Sequence, residues 1–235
     1  ELGNSQLFNS FKILENSHHV FESISDLHSS VNLPKPTNPL VSVIKLEDLN
    51  SGKENVVQSI VYNFYTVFLK KNFQGKLKYG HQYYDFDDGT MTFFAPNQKV
   101  IVEEYTPTKL EGWMLVFHPD FLQGYPLAQK ISDYGFFQYS TNEALHLSDK
   151  EEAIVSGAFH NLKKEIELPI DSFTQDVVVS HIDLLLNYCN RFYGRQFITR
   201  KKPSSDLLLK FEGLLKEYFY KDNSDILGLP SVQYF

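Results

Sequence analysis

The sequence predicts an α+β protein in which short β-strands come first and helices follow. Three observations predict it. Aromatic residues make up 15% of the 235 residues, with 20 Phe and 14 Tyr but one Trp, and aromatics favour strands and apolar β cores. Between Leu40 and Phe117 the apolar runs are cut by turn signals at intervals of roughly ten residues, the spacing of a sandwich or jelly-roll barrel. After His118-Pro119-Asp120 the period becomes helical, and two capping-box patterns appear.

The elements follow in order. Val20, Ile24, Leu27 and Val31 have helical spacing and predict a short amphipathic helix. His18 and His19 are adjacent, and adjacent helical residues point in different directions, so they read as a solvated surface rather than a metal pair. Pro34, Pro36 and Pro39 enforce an extended crossing, and Leu40 to Ile44 is a first strand. Val56 to Leu69 predicts one long strand with an interruption, apolar on both faces as a sandwich strand is. Further strands are predicted at about 76–86, 90–95, 98–104 and 112–118. Asp88-Gly89 is a hairpin signal, and Ala95-Pro96-Asn97 is a break, because proline cannot donate within a ladder.

In the second half, Phe121 to Ile131 predicts a short helix. Ser148-Asp-Lys-Glu151 caps a helix to about Leu168, and Ser172-Phe-Thr-Gln175 caps the longest helix, to about Tyr193 with Gly194 ending it. In that last helix Val178, Ile182, Leu185, Cys189 and Phe192 are spaced 4-3-4-3, the seam of a helix pair. The seam serves a second copy of the chain as a dimer face, the helix before it, or both at once. Arg191 to Lys202 is a basic run, read chiefly as a helix end complementing its dipole. Asp206 to Lys221 predicts another amphipathic helix, and Leu229 to Phe235 reads as the first turn of one more, so the polypeptide is expected to continue.

Composition narrows the function. Against 29 acidic residues stand 22 basic ones, a formal charge of −7, which argues against a broad nucleic-acid grip by this piece. No apolar run reaches the roughly 18–20 residues of a membrane span. One cysteine, Cys189, rules out an internal disulfide and suits a reducing cytoplasm.

Catalytic chemistry finds little support. No phosphate-binding glycine pattern and no Gly-x-Ser-x-Gly elbow is present. A barrel metalloenzyme needs two or three histidines and a carboxylate converging from neighbouring strands, and the β region offers His81 and His118 with Glu103 and Glu104. No metal or cofactor is therefore expected. Binding remains. Alternate strand residues share a face, which groups Tyr62 with Phe64, Tyr79 with His81 and Tyr83, and Trp113 with Leu115 and Phe117. Tyr62, Phe64, Tyr79, His81, Tyr83, Trp113 and Phe117 either line a pocket for a small organic ligand or fill the barrel as core.

Several phrases resemble AraC-family transcription regulators of the Bacteroidetes type. They are Gly89-Thr-Met-Thr-Phe-Phe-Ala-Pro96-Asn-Gln98, Gly112-Trp-Met-Leu-Val-Phe-His-Pro-Asp-Phe-Leu122, Glu143-Ala-Leu-His-Leu-Ser148 and Arg191-Phe-Tyr-Gly-Arg-Gln-Phe-Ile-Thr-Arg200. The likeness spans about residues 17–235. It implies a cupin-like jelly-roll β-barrel that senses a small effector (1–147), then an antiparallel helix pair and linker for homodimerisation (148–202). The beginning of a helix-turn-helix domain (203–235) would follow, with promoter DNA bound by a part beyond this chain. Two other readings stay open: a cupin-like metal-dependent enzyme, and a dimerisation scaffold without a ligand.

Overall fold

The computed structural model describes residues 18–49, 58–71, 75–79, 82–85, 89–105, 111–137 and 144–199, with residues 213, 214 and 218. It is a mixed α+β structure. The chain divides into two compact units, Glu1–Gln196 and Phe197–Phe235. In the second unit the described residues Gly213, Leu214 and Tyr218 are helical; the rest of the helix predicted at 206–221, and the turn predicted at 229–235, lie outside the described residues.

Among its described residues the first unit has ten strands in two sheets. In chain order they are β1 (His18–Phe21), β2 (Val41–Lys45), β3 (Gln58–Tyr62), β4 (Tyr65–Lys71), β5 (Gly75–Tyr79), β6 (Gln82–Asp85), β7 (Thr90–Phe94), β8 (Lys99–Tyr105), β9 (Glu111–Phe117) and β10 (Leu145–His146). The first sheet has the order β1-β3-β8-β5-β6 and the second β10-β7-β4-β9-β2, and neither closes on itself. Among the described residues, β1 and β3 are the one pair that runs parallel. From β2 to β5 and again from β6 to β9, each strand lies in the other sheet from the one before it.

Among the described residues the helices that accompany the sheets are α1 (Ile24–Ser30), α2 (Pro126–Lys130), α3 (Asp149–Glu167) and α4 (Thr174–Thr199). The sheets face each other across one apolar cluster. Phe21, Tyr62 and Val100 come from the first sheet, and Ile44, Phe94, Met114 and Val116 from the second. Ile24 and Leu27 of α1 join it, so this helix covers an edge of the sandwich.

Several boundaries differ from expectation for local reasons. The helix expected from Val20 starts at Ile24, because Ser23 caps it: its hydroxyl accepts from Asp26 N while Asp26 accepts from Ser23 N, both at 3.1 Å. The residues before the cap are left to pair as β1. The long strand expected at 56–69 is two strands, because Asn63 and Phe64 bend between β3 and β4, with Asn63 N donating to Phe21 O at 3.1 Å. The region expected as one strand at 76–86 pairs with itself as β5 and β6. The break at Ala95-Pro96-Asn97 is present, with Asn97 in the left-handed region at φ 64°.

In the helical half, Glu151 reaches back to Ser148 N at 2.9 Å and starts α3 as the sequence predicts. Helix α4 begins differently. Asp171 rather than Ser172 organises its start, accepting from Phe173 N at 2.8 Å and from the Thr174 hydroxyl at 3.0 Å. Gly194 does not end α4, which continues to Thr199. Gln196 explains the continuation: its side-chain amide accepts from His146 N at 2.9 Å and donates to Ala144 O at 3.0 Å. That pairing anchors the last turns to the edge strand and outweighs the glycine's cost of about 1 kcal/mol.

Candidate functional site

The second sheet has two different faces, and its registers decide which residue serves which. Thr66, Val67, Phe68, Leu69 and Lys70 of β4 lie opposite Val116, Leu115, Met114, Trp113 and Gly112 of β9, and opposite Phe94, Phe93, Thr92, Met91 and Thr90 of β7. Alternation then sends one set to each face. The face towards the first sheet carries Thr66, Phe68, Lys70, Thr90, Thr92, Phe94, Gly112, Met114 and Val116. The other face carries Tyr65, Val67, Leu69, Met91, Phe93, Trp113, Leu115 and Phe117.

That outer face is covered by helices and by the 3-10 turn Gly135–Phe137. Trp113 stacks on Phe159 of α3, with ring centres 6.1 Å apart, and Lys45 Nζ lies 5.6 Å from its ring centre. Phe117 stacks on Tyr65 at 5.1 Å, Tyr65 meets Phe137 edge-on at 5.0 Å, and Phe93 lies 4.2 Å from Phe136. Phe136 in turn meets Tyr193 of α4 at 5.8 Å. The single thiol sits in this layer, with Cys189 Sγ 3.7 Å from Met91 Sδ. Burial pushes that thiol well above the ordinary range, so it is a packing group and a poor nucleophile.

The seven expected pocket residues are therefore not gathered in one place. Tyr62 and Phe64 lie between the sheets; Tyr62 stacks on Phe21 at 5.5 Å and contacts Phe64 at 5.6 Å. Burial pushes the Tyr62 hydroxyl upward, so it stays protonated. Trp113 and Phe117 share a face, as alternation predicts, but it is the face beneath the helices. Tyr79 and Tyr83 belong to β5 and β6, and their side chains, like the whole of His81, lie outside the described residues.

The sequence reading missed the inner face's polar groups. Lys70 is only 6% exposed, and Thr90, opposite it on β7, and Thr66, two rows along β4, are fully buried. Burial lowers the Lys70 ammonium to about 7, and its Nζ lies 5.0 Å from the Phe68 ring centre. The hydroxyls of Thr66 and Thr92 are buried without a hydrogen-bond partner. The signal was available: Thr66, Lys70, Thr90 and Thr92 are polar positions in alternation with the core positions of β4 and β7.

A shallower cleft of about 250 Å³ lies between the 33–37 crossing, β2 and the end of α3. Five of its lining residues are engaged with each other. His28 Nδ1 donates to Pro34 O at 2.6 Å, its Nε2 meets Ser42 Oγ at 2.9 Å, and Lys163 pairs with Glu167 at 3.0 Å. His118 also has a structural place, accepting from Asp120 N at 3.2 Å. Among the described residues no group of three His, Cys, Asp or Glu side chains is placed to hold a metal ion. Among them, too, no helix is long and apolar enough to cross a membrane.

The five seam residues of α4 are all buried within the chain: Val178, Ile182, Leu185 and Cys189 fully, and Phe192 nearly so. Polar bonds hold the same helix to the segment after β9. Gln175 Nε2 donates to Phe121 O at 2.9 Å, Lys130 Nζ reaches Asp183 at 3.0 Å and Asn187 at 2.8 Å, and Tyr125 donates to Asp176. Exposed apolar residues also lie along α4 and at its start: Phe173, just before the helix, is 66% exposed, Val177 36% and Leu184 49%. No family model matches the chain, and no curated protein matches it.

Proposed function

We propose that this chain is the sensing and dimerising region of an AraC-type transcription regulator, with a small effector held between the sheets of a cupin-like jelly roll. The observation that carries the reading is the division between the faces of the second sheet. The outer face holds the helices, while the inner face keeps a buried cation and two unpartnered hydroxyls among apolar side chains. A core with no ligand gains nothing from the Thr66 and Thr92 hydroxyls, because burying them unpaired is costly. The strand orders support the jelly roll: the inner strands β2-β9-β4-β7 and β3-β8-β5-β6 are ordered as in its double Greek key.

In this reading the effector reports through the layer of Phe93, Phe136 and Tyr193, which joins the sheet to α4. A second copy meets the face of α4 that bears Val177 and Leu184, with Phe173 just before the helix, since the seam is already occupied within the protomer. Paired C-terminal domains would then fit paired half-sites on promoter DNA.

Sedimentation tests the assembly. The chain is expected to be a dimer at tens of micromolar, and Val177→Glu with Leu184→Glu is expected to be a monomer; a monomeric parent removes the dimer from the proposal. The DNA part is tested on the full polypeptide by mobility shift with the DNA upstream of its own gene, and absence of a shift removes it.

A further inference from the structure

The cleft beside β2 holds a set of groups that an effector between the sheets does not use. His28 comes from α1, Pro34 from the crossing that follows it, and Ser42 and Val43 from β2. Nδ1 of His28 lies 2.6 Å from Pro34 O, and Nε2 lies 2.9 Å from Ser42 Oγ. A carbonyl oxygen can only accept, so Nδ1 carries the proton of the neutral imidazole. Nε2 is then the acceptor, and the Ser42 hydroxyl donates to it. Both side chains are more than nine-tenths buried, yet both line the cleft.

This is the arrangement of an activated nucleophile: a hydroxyl on a base, and the base oriented by a third group. The third group here is a backbone carbonyl in place of a carboxylate. The strand pairing supplies a further part. His118 N donates to Leu40 O at 2.8 Å, and Ser42 lies opposite Val116. Bonded positions alternate in an antiparallel pair, so Leu40, Ser42 and Ile44 bond to β9 while Val43 N–H points away from it. β2 is the last strand of its sheet, so among the described residues no strand takes that N–H. The N–H of the residue after a nucleophilic serine is an established oxyanion donor, and Val43 lines the same cleft. No Gly-x-Ser-x-Gly elbow announces the site, because base and nucleophile stand fourteen residues apart on separate elements.

We propose that the cleft is an acyl-transfer site that hydrolyses small carboxylic esters, with Ser42 as nucleophile and His28 as general base. Ser42 Oγ bonds to the ester carbonyl carbon while its proton passes to His28 Nε2, and Val43 N–H holds the oxyanion. The carbon–oxygen bond to the alcohol then breaks, and Nε2 gives the proton to the departing oxygen. Water next loses a proton to Nε2 and attacks the acyl carbon; the acid leaves, and Ser42 Oγ takes the proton back. Pro34 O touches no reacting atom and acts by positioning the ring. At about 250 Å³ the cleft is smaller than a drug-sized pocket, and Leu33, Pro36 and Ile166 give it apolar walls, which favours short acyl chains.

The test is hydrolysis of p-nitrophenyl acetate, with mass spectrometry after treatment by diisopropyl fluorophosphate. The proteins are the parent chain, Ser42→Ala and His28→Gln. The parent is expected to turn the ester over and to gain a single adduct, mapped to Ser42. Ser42→Ala and His28→Gln are each expected to lose roughly a hundredfold or more of that rate. Ser42→Ala is expected to take no adduct. Turnover and mapping on the parent carry the test if neither variant folds. A merely structural bond between Ser42 and His28 leaves Ser42 unlabelled, and that result overturns the proposal. So do labelling of Ser42 without turnover, and undiminished hydrolysis by Ser42→Ala. None of these outcomes bears on the effector reading, which concerns the space between the sheets.

Discussion

Lys70 is the residue whose environment departs furthest from its chemistry. A lysine ordinarily titrates near 10.5, and burial brings Lys70 to about 7. Between those values the unfolded chain binds more protons than the folded one, so stability rises with pH across that window. This contribution is complete only above the unfolded value and is lost as pH falls towards 7. Lys70→Met removes this dependence. Urea unfolding at pH 7 and pH 9.5 checks it: the parent should gain stability over that interval and the variant should gain less. Gly112 gives the opposite case. In Gly112→Ala the new methyl meets the Leu69 carbonyl, a backbone atom that cannot swing aside. A loss of about 3 kcal/mol or more is expected, read as a lower urea midpoint. The sequence shows both residues plainly, but neither the lysine's burial nor the glycine's positive φ can be seen without the strand pairing.

Among the elements, α4 shows best how local pattern and tertiary contact divide the work. Its apolar spacing was legible, and so was its approximate start. Its end was not, because Gly194, five residues before that end, reads as a stop. The stop fails because Gln196 completes the backbone pairing of Ala144 and His146 from the side. Gln196→Ala is expected to cost about 1–3 kcal/mol and to speed hydrogen exchange at the His146 amide. Gly194 has no atom within 4 Å of where a Cβ would stand. Gly194→Ala is therefore expected to stabilise the protein by about 0.5–1 kcal/mol, read as a higher melting temperature. Helix α3 needed no such help, since its capping box and apolar face agree with where it lies. The expected first helix lost its N-terminal turn to β1, because pairing with β3 competes with a weak helical period.

At the scale of the whole molecule, the second sheet separates the interior between the sheets from the layer beneath the helices. Trp113 and Phe117 belong to the helical side, and Tyr62 and Phe64 to the interior, so the aromatics that look alike in sequence serve two different layers. The α4 seam behaves likewise. Val178, Ile182 and Leu185 are spent on the protomer's own core, and Ile182→Glu is expected to cost well over 3 kcal/mol by burying an unpaired charge. Leu184→Glu, on the exposed side, is expected to stay within about 0.5 kcal/mol of the parent. Denaturation midpoints of the two variants check this, and they separate loss of a dimer face from loss of the fold.

Composition, turn signals and helical periods by themselves determined the α+β class, most strand positions, the position of α3 and the presence of a long apolar helix after it. Those are properties of short windows, where the spacing of side chains and the chemistry of caps act alone. Which face of each strand looks inward, which buried polar groups meet there, and which side of α4 is left outside were decided only by the tertiary structure. They depend on the register between strands far apart in the chain, and a slip of one residue would exchange the two faces of the sheet.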